Sequence, residues 1–213
     1  MASTLTRDAP VLAFTHRFEP ATDGVASPLL LLHGTGGDET DLLPLGRMIA
    51  PGAALLSPRG QVSEGGMPRF FRRLAEGVFD EADVVRRAHD LADFIAAART
   101  AYGLAAPVAV GFSNGANIAA AIMLLRAEAL AGAVLLRPMV PLADPPAGDL
   151  PSTPVLMLSG AMDPIVPAEN AARLATLLSA RGGKVEHKTL PASHGLTSAD
   201  LTAARDFIAR IGR

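Results

Sequence analysis

The sequence predicts an α/β fold, a mostly parallel sheet with helices on both faces, in a single domain over residues 1–213. Three observations carry this prediction. Short apolar runs of strand length alternate with stretches of helical period along the chain. Leu29 to Leu32 is apolar at every position, as a strand covered on both faces requires. Most of these runs stop at glycine, proline or serine, which marks a loop between strand and helix.

Taken in order, Val11 to Phe18 alternates weakly and reads as an edge strand, and Ala21-Thr-Asp-Gly24 as a turn. The Leu29–Leu32 strand ends in a glycine-rich loop, His33-Gly-Thr-Gly-Gly-Asp38. Leu42 to Ala50 reads as a helix with Asp41 as N-cap and Pro44 in its first turn. Ala53 to Leu56 is the next strand, closed by Ser57-Pro-Arg-Gly60. Gln61 to Gly77 shows no period and reads as irregular. From about Glu81, Val84, Ala88, Leu91, Ile95 and Ala98 form one helical stripe, which Gly103 closes. Val108 and Val110 mark a buried strand, and the Ala116–Ala127 run a helix. Ala133 to Leu136 is a strand ending at Arg137-Pro138, and the proline-rich stretch 140–154 is loop. Val155 to Leu158 is a strand ending in Ser159-Gly-Ala-Met-Asp-Pro164. Ala168 to Ala180 is a helix that buries Leu174, Leu177 and Leu178 before Gly182. Val185 to Leu190 is the last strand, and Ser198 caps a final helix with Leu201, Ile208 and Ile211 inward.

Composition narrows the function. Apolar residues make up 49% of the 213, enough for a sizeable core. A formal net charge of −2 points away from nucleic acid and from charged membrane surfaces. With no cysteine there is no disulfide scaffold, thiolate nucleophile or cysteine-bound metal. Met1 to Pro20 carries no basic segment followed by an apolar run, so a cytoplasmic location without a secretory leader is expected. No apolar run approaches the roughly 18 residues of a membrane span.

The chemistry centres on Gly111-Phe-Ser-Asn-Gly115, a G-x-S-x-G that follows a strand and opens a helix. In that context the pattern makes a nucleophile elbow, whose sharp turn leaves no room for a Cβ on either side of Ser113. Serine is a weak nucleophile without a base, and His194, after the last strand, is the candidate. Asp163, after the preceding strand, is the candidate to orient that imidazole. The chain order Ser113, Asp163, His194 is that of an α/β-hydrolase triad. In a parallel sheet these loops share the carboxyl edge with the glycine loop, Arg59 and Arg137. The oxyanion hole is assigned to the Asn114 amide and to Thr35 in the glycine loop. Neither phosphate-loop pattern, G-x-x-x-x-G-K or G-x-G-x-x-G, is present.

The other histidines are better explained without catalysis. His16 and His187 are expected to face solvent, His89 lies off its helix's apolar stripe, and His33 packs beneath the glycine loop. Asp144, Asp149 and Asp200 are the alternative acids, the last reading as first-turn charge on a helix. Arg59, Arg69, Arg72 and Arg73 lie near Glu76, Asp80, Glu81 and Asp83, and ion pairing explains Arg72 and Arg73. Arg137 stands at a strand end, where it can either bind an acidic group of the substrate or hold the Pro138 loop. Phe70 and Phe71 are further candidates for substrate contact.

Five segments in order resemble the phospholipase/carboxylesterase family of α/β-hydrolases, which includes acyl-protein thioesterases. They are His33–Asp38, Ser57–Gly60, Gly111–Gly115, Gly160–Pro167 and Ser193–Gly195. Met67–Arg73 and Arg137–Val140 are closer to its bacterial carboxylesterase branch. The resemblance implies ester or thioester hydrolysis by Ser113, Asp163 and His194, with no cofactor or metal. Asn114 and Ala116 stand where the thioesterases usually have Gln and Gly, and their long apolar acyl-binding insertion is missing, which leaves a minimal cap. The expected function is therefore a serine carboxylesterase acting on small soluble esters, with assembly as a homodimer left open. The alternatives are an acyl thioesterase or lysophospholipase, and a ligand-binding homologue with an idle triad.

Overall fold

The computed structural model describes residues 12–22 and 27–212. Val11 of the expected edge strand, Asp23 and Gly24 of the expected turn, and residues 1–11 of the leader reading lie outside them. A seven-stranded sheet runs in the order β1 (His16–Glu19), β3 (Leu55–Pro58), β2 (Leu29–Leu32), β8 (Val108–Phe112), β9 (Gly132–Leu136), β10 (Pro154–Gly160), β11 (Lys184–Leu190). Only the edge strand β1 is antiparallel, pairing with β3; every other neighbour is parallel. This is the arrangement of an α/β-hydrolase.

The all-leucine strand β2 shows why the sheet is covered twice. Successive side chains alternate faces. Leu30 and Leu32 pack with residues of α2 (Glu81–Tyr102), α3 (Asn114–Leu125) and α4 (Ala168–Ala180). Leu29 and Leu31 pack with α1 (Leu43–Ile49) and α5 (Ser198–Ile211) on the other side. All four are fully buried, each contributing about 1.5–3 kcal/mol by transfer from water. The β8 strand sits at the centre, so the turn after it is flanked by strand ends on both sides.

The structure corrects several local readings. Gln61–Gly77 is not irregular. It forms two hairpins, β4 (Val62–Glu64) with β5 (Met67–Arg69), and β6 (Arg73–Ala75) with β7 (Val78–Phe79). Gly65 and Gly66 both hold positive φ, 58° and 86°, which is the requirement of a two-residue hairpin turn. Asp41 does not cap α1; Leu42 holds the N-cap position without a side-chain bond, and the Asp41 carboxylate lies against Gly37 instead. Thr197, not Ser198, caps α5, in a capping box with Asp200. His16 is bonded to the Tyr102 hydroxyl at 2.7 Å, and His187 Nε2 lies 2.8 Å from Ser159 Oγ, so neither is simply a solvent-facing side chain. Gly103, at φ 66°, ends α2 as expected. No helix among the described residues is long and apolar enough to cross a membrane.

Candidate active site

The elbow after β8 is built by steric exclusion. Ser113 lies at φ 52°, a left-handed conformation that side chains rarely adopt. Its amide donates to Leu136 O at 2.8 Å, and α3 begins at the next residue. A Cβ on Gly111 would stand 2.4 Å from Gly115 O, and one on Gly115 would stand 2.0 Å from Leu32 O. Both glycines are therefore obligatory, and the second also brings the elbow against the β2 strand end.

The parallel sheet delivers the three predicted side chains to one edge. His194 Nε2 is 3.0 Å from Ser113 Oγ, and His194 Nδ1 is 2.8 Å from Asp163 Oδ2. A carboxylate oxygen only accepts, so Nδ1 carries the proton and Nε2 offers its lone pair to the Ser113 hydroxyl. The other carboxylate oxygen, Asp163 Oδ1, accepts the Ile165 and Val166 amides at 2.8 and 3.1 Å. The Asp163 side chain is 1% exposed and that of His194 is 19% exposed. The acid is thus sealed while the base reaches the surface. Asp144 and Asp149, the alternative acids, are exposed in the 140–154 loop.

The glycine loop is tied down from below. His33 is buried, donates from Nδ1 to Gly34 O at 2.7 Å, and accepts the Gly60 amide on Nε2 at 2.9 Å. Burial pushes its pKa below the ordinary imidazole value, in keeping with a neutral ring that both donates and accepts. Arg59 grips Glu39 of the same loop through two bonds of 2.5 and 2.9 Å. The loop leaves Thr35 exposed at the β2 end, beside the elbow. The Asn114 amide is the first of α3, a position with no acceptor inside the helix.

The three candidates for substrate contact are all buried. Phe70 and Phe71 are buried core side chains, packed against the rings of His33 and Phe79 at 4.7 and 5.1 Å between centroids. Arg137 is 0% exposed and reaches no rim. Its guanidinium binds both oxygens of Asp200 at 2.7 and 2.9 Å. The remaining N–H groups donate to Leu158 O, Ser193 O and Gly195 O at 3.2, 3.0 and 3.1 Å. The two carbonyls on either side of His194 are thus held by one buried cation. Of the two sequence readings, loop-holding is the one the geometry supports, but the loop is that of His194, not of Pro138. The signal was Asp200, which as first-turn charge on a helix gives no hint of a buried partner.

A stability prediction follows from this pair. Burial alone would raise the Asp200 pKa, but the bonds from Arg137 and Thr197 outweigh it and hold the carboxyl below its ordinary range. The stabilisation is therefore fully present above about pH 4 and lost as the pH falls through the lowered value. Arg137→Met leaves a buried carboxylate unpaired, at a cost of about 3–5 kcal/mol. For a chain of this size the melting temperature at pH 7 is expected to fall by about 6–20 °C. Calorimetry showing a wild-type melting temperature for Arg137→Met would remove the ion pair from the account.

Comparison with known proteins bears on the family and the fold. The profile of the family described as Phospholipase/Carboxylesterase matches residues 17–211. A protein of Bacillus subtilis (strain 168) named "Putative hydrolase MhqD" is 44% identical over 194 residues, 90% of this chain and 96% of that one. Among solved structures, the Bacillus cereus carboxylesterase superposes with a TM-score of 0.91 at 40% identity, covering 93% of this chain and 95% of its own. A carboxylesterase from Mesorhizobium loti gives 0.89 at 35% identity, covering 93% and 96%.

Proposed function

The chain belongs to the phospholipase/carboxylesterase family of hydrolases, and on that premise we propose that it is a serine carboxylesterase cleaving small, soluble esters through an acyl-enzyme. The observation that carries the reading is the unbroken line of hydrogen bonds from Ser113 Oγ through His194 to Asp163, at 3.0 and 2.8 Å.

In this reading His194 Nε2 removes the Ser113 proton as Oγ attacks the ester carbonyl carbon. Asp163 stabilises the imidazolium and keeps its tautomer without taking the proton. The carbonyl oxygen becomes an oxyanion, which the Thr35 and Asn114 amides receive. The Asn114 amide also stands at the positive end of a 12-residue helix. His194 then protonates the leaving alkoxide, and the alcohol departs. A water, deprotonated by the same Nε2, attacks the acyl-enzyme and releases the acid and free Ser113.

Small substrates are favoured by what lies between β3 and α2. The chain places only two short hairpins there, with no long apolar element to sheathe an acyl chain. The test is a series of p-nitrophenyl esters from acetate to palmitate, with matched thioesters. The expected result is the highest kcat/KM on acetate or butyrate, with oxygen esters at least equal to thioesters. A maximum on a long-chain thioester would replace the esterase reading by the thioesterase one.

A further inference from the structure

Three consecutive residues of the β4–β5 hairpin and its exit each spend a polar group on the elements that flank the oxyanion. Pro68 O accepts the Gly36 amide at 3.0 Å, next to Thr35. Arg69 Nη1 donates to Thr35 Oγ1 at 2.8 Å. The Phe70 amide donates to Asn114 Oδ1 at 2.8 Å, on the elbow itself. Gly60 lets this segment approach closely, since a Cβ there would lie 2.3 Å from the backbone of Arg69.

The middle bond is the informative one. Arg69 is 3% exposed, a buried cation. Its Nε lies 3.2 Å from Glu64 and donates to Phe71 O at 3.3 Å, but Glu64 also serves Arg73 at 2.9 Å. Glu64 is therefore shared between two cations. A guanidinium carries donors and no acceptor, so its bond to Thr35 uses an oxygen lone pair and leaves the hydroxyl proton unspent. A hydroxyl that accepts from a cation becomes a stronger donor in turn. That proton sits on an exposed residue of the loop expected to receive the oxyanion. The loop is near enough to the elbow strand that a Cβ on Gly34 would lie 2.9 Å from the Phe112 ring.

We propose that the Thr35 hydroxyl, polarised by the buried Arg69, is a third oxyanion donor beside the two backbone amides, and that Arg69 is its positioning residue. This rests on the reading of Ser113 as the nucleophile. A neutral ester carbonyl gains little from such a donor, whereas the tetrahedral oxyanion gains much, so the effect belongs in kcat.

The experiment compares Thr35→Val, Thr35→Ser, Arg69→Met and the double variant Thr35→Val/Arg69→Met on p-nitrophenyl acetate. Thr35→Val keeps the backbone amide and the side-chain shape, and is expected to lose about 10²- to 10³-fold in kcat with KM little changed. Thr35→Ser should recover most of this. Arg69→Met should lower kcat alone but add little in the Thr35→Val background, because its action passes through the hydroxyl. An alkyl boronic acid, which forms a tetrahedral adduct on serine, should lose affinity in parallel with kcat across the set. A Thr35→Val enzyme with wild-type kcat and boronate affinity would overturn the proposal. So would multiplicative losses in the double variant. Should Arg69→Met fail to fold, the Thr35 pair still decides. Reaction of Ser113 with a fluorophosphonate in every variant separates failure here from failure of the nucleophile assignment.

Discussion

Ser113→Ala is expected to lower ester turnover by on the order of 10⁶-fold, the loss typical when a triad nucleophile is removed. The Ser113 hydroxyl donates its proton to His194 Nε2, and alanine cannot form the acyl intermediate at all. Residual rate would come from the oxyanion donors acting on water attack. Stability should hardly change. The strain at φ 52° depends on the presence of a Cβ, which serine and alanine share. The check is steady-state hydrolysis of p-nitrophenyl acetate beside a melting curve. Turnover near wild type would refute the assignment; a large fall in melting temperature would show that Ser113 matters to the elbow itself.

Asp163→Asn should cost on the order of 10⁴-fold in kcat, for a reason of hydrogen-bond direction. Two backbone donors, Ile165 N and Val166 N, face Asp163 Oδ1. In the asparagine variant the amide oxygen must take that side, since its NH₂ group would oppose two donors. The NH₂ then faces His194 Nδ1, which must accept. The ring is driven to the tautomer with its proton on Nε2, and that nitrogen can no longer take the Ser113 proton. Variant kinetics above pH 7 check this directly. If Asp144→Asn or Asp149→Asn shows the loss and Asp163→Asn does not, the acid is misassigned.

The alternation of strands and helices along the chain and the loops that carry Ser113, Asp163 and His194 were legible because each depends on local pattern. Leu29–Leu32 announces a doubly covered strand, and G-x-S-x-G between strand and helix announces a strained turn. The hairpins at 62–79 were not legible, since strands of two or three residues carry too little alternation and only Gly65-Gly66 marked a turn. The sequence leaves Arg137 open between two roles for a different reason. A charged residue at a strand end reads as accessible until its partner is known, and Asp200 lies 63 residues further on. Phe70 and Phe71 look the same in sequence whether they line a cleft or fill a core. The Arg69–Thr35 bond joins two segments 34 residues apart and leaves no periodic trace.

The central claim is that Ser113 is activated by His194, and labelling tests it most directly. The protein is treated with a fluorophosphonate at neutral pH, and the adduct is located by peptide mass spectrometry. The account predicts one adduct, on Ser113, absent from Ser113→Ala and formed far more slowly in His194→Ala. No adduct on the wild-type protein, or the same labelling rate in His194→Ala, would contradict it.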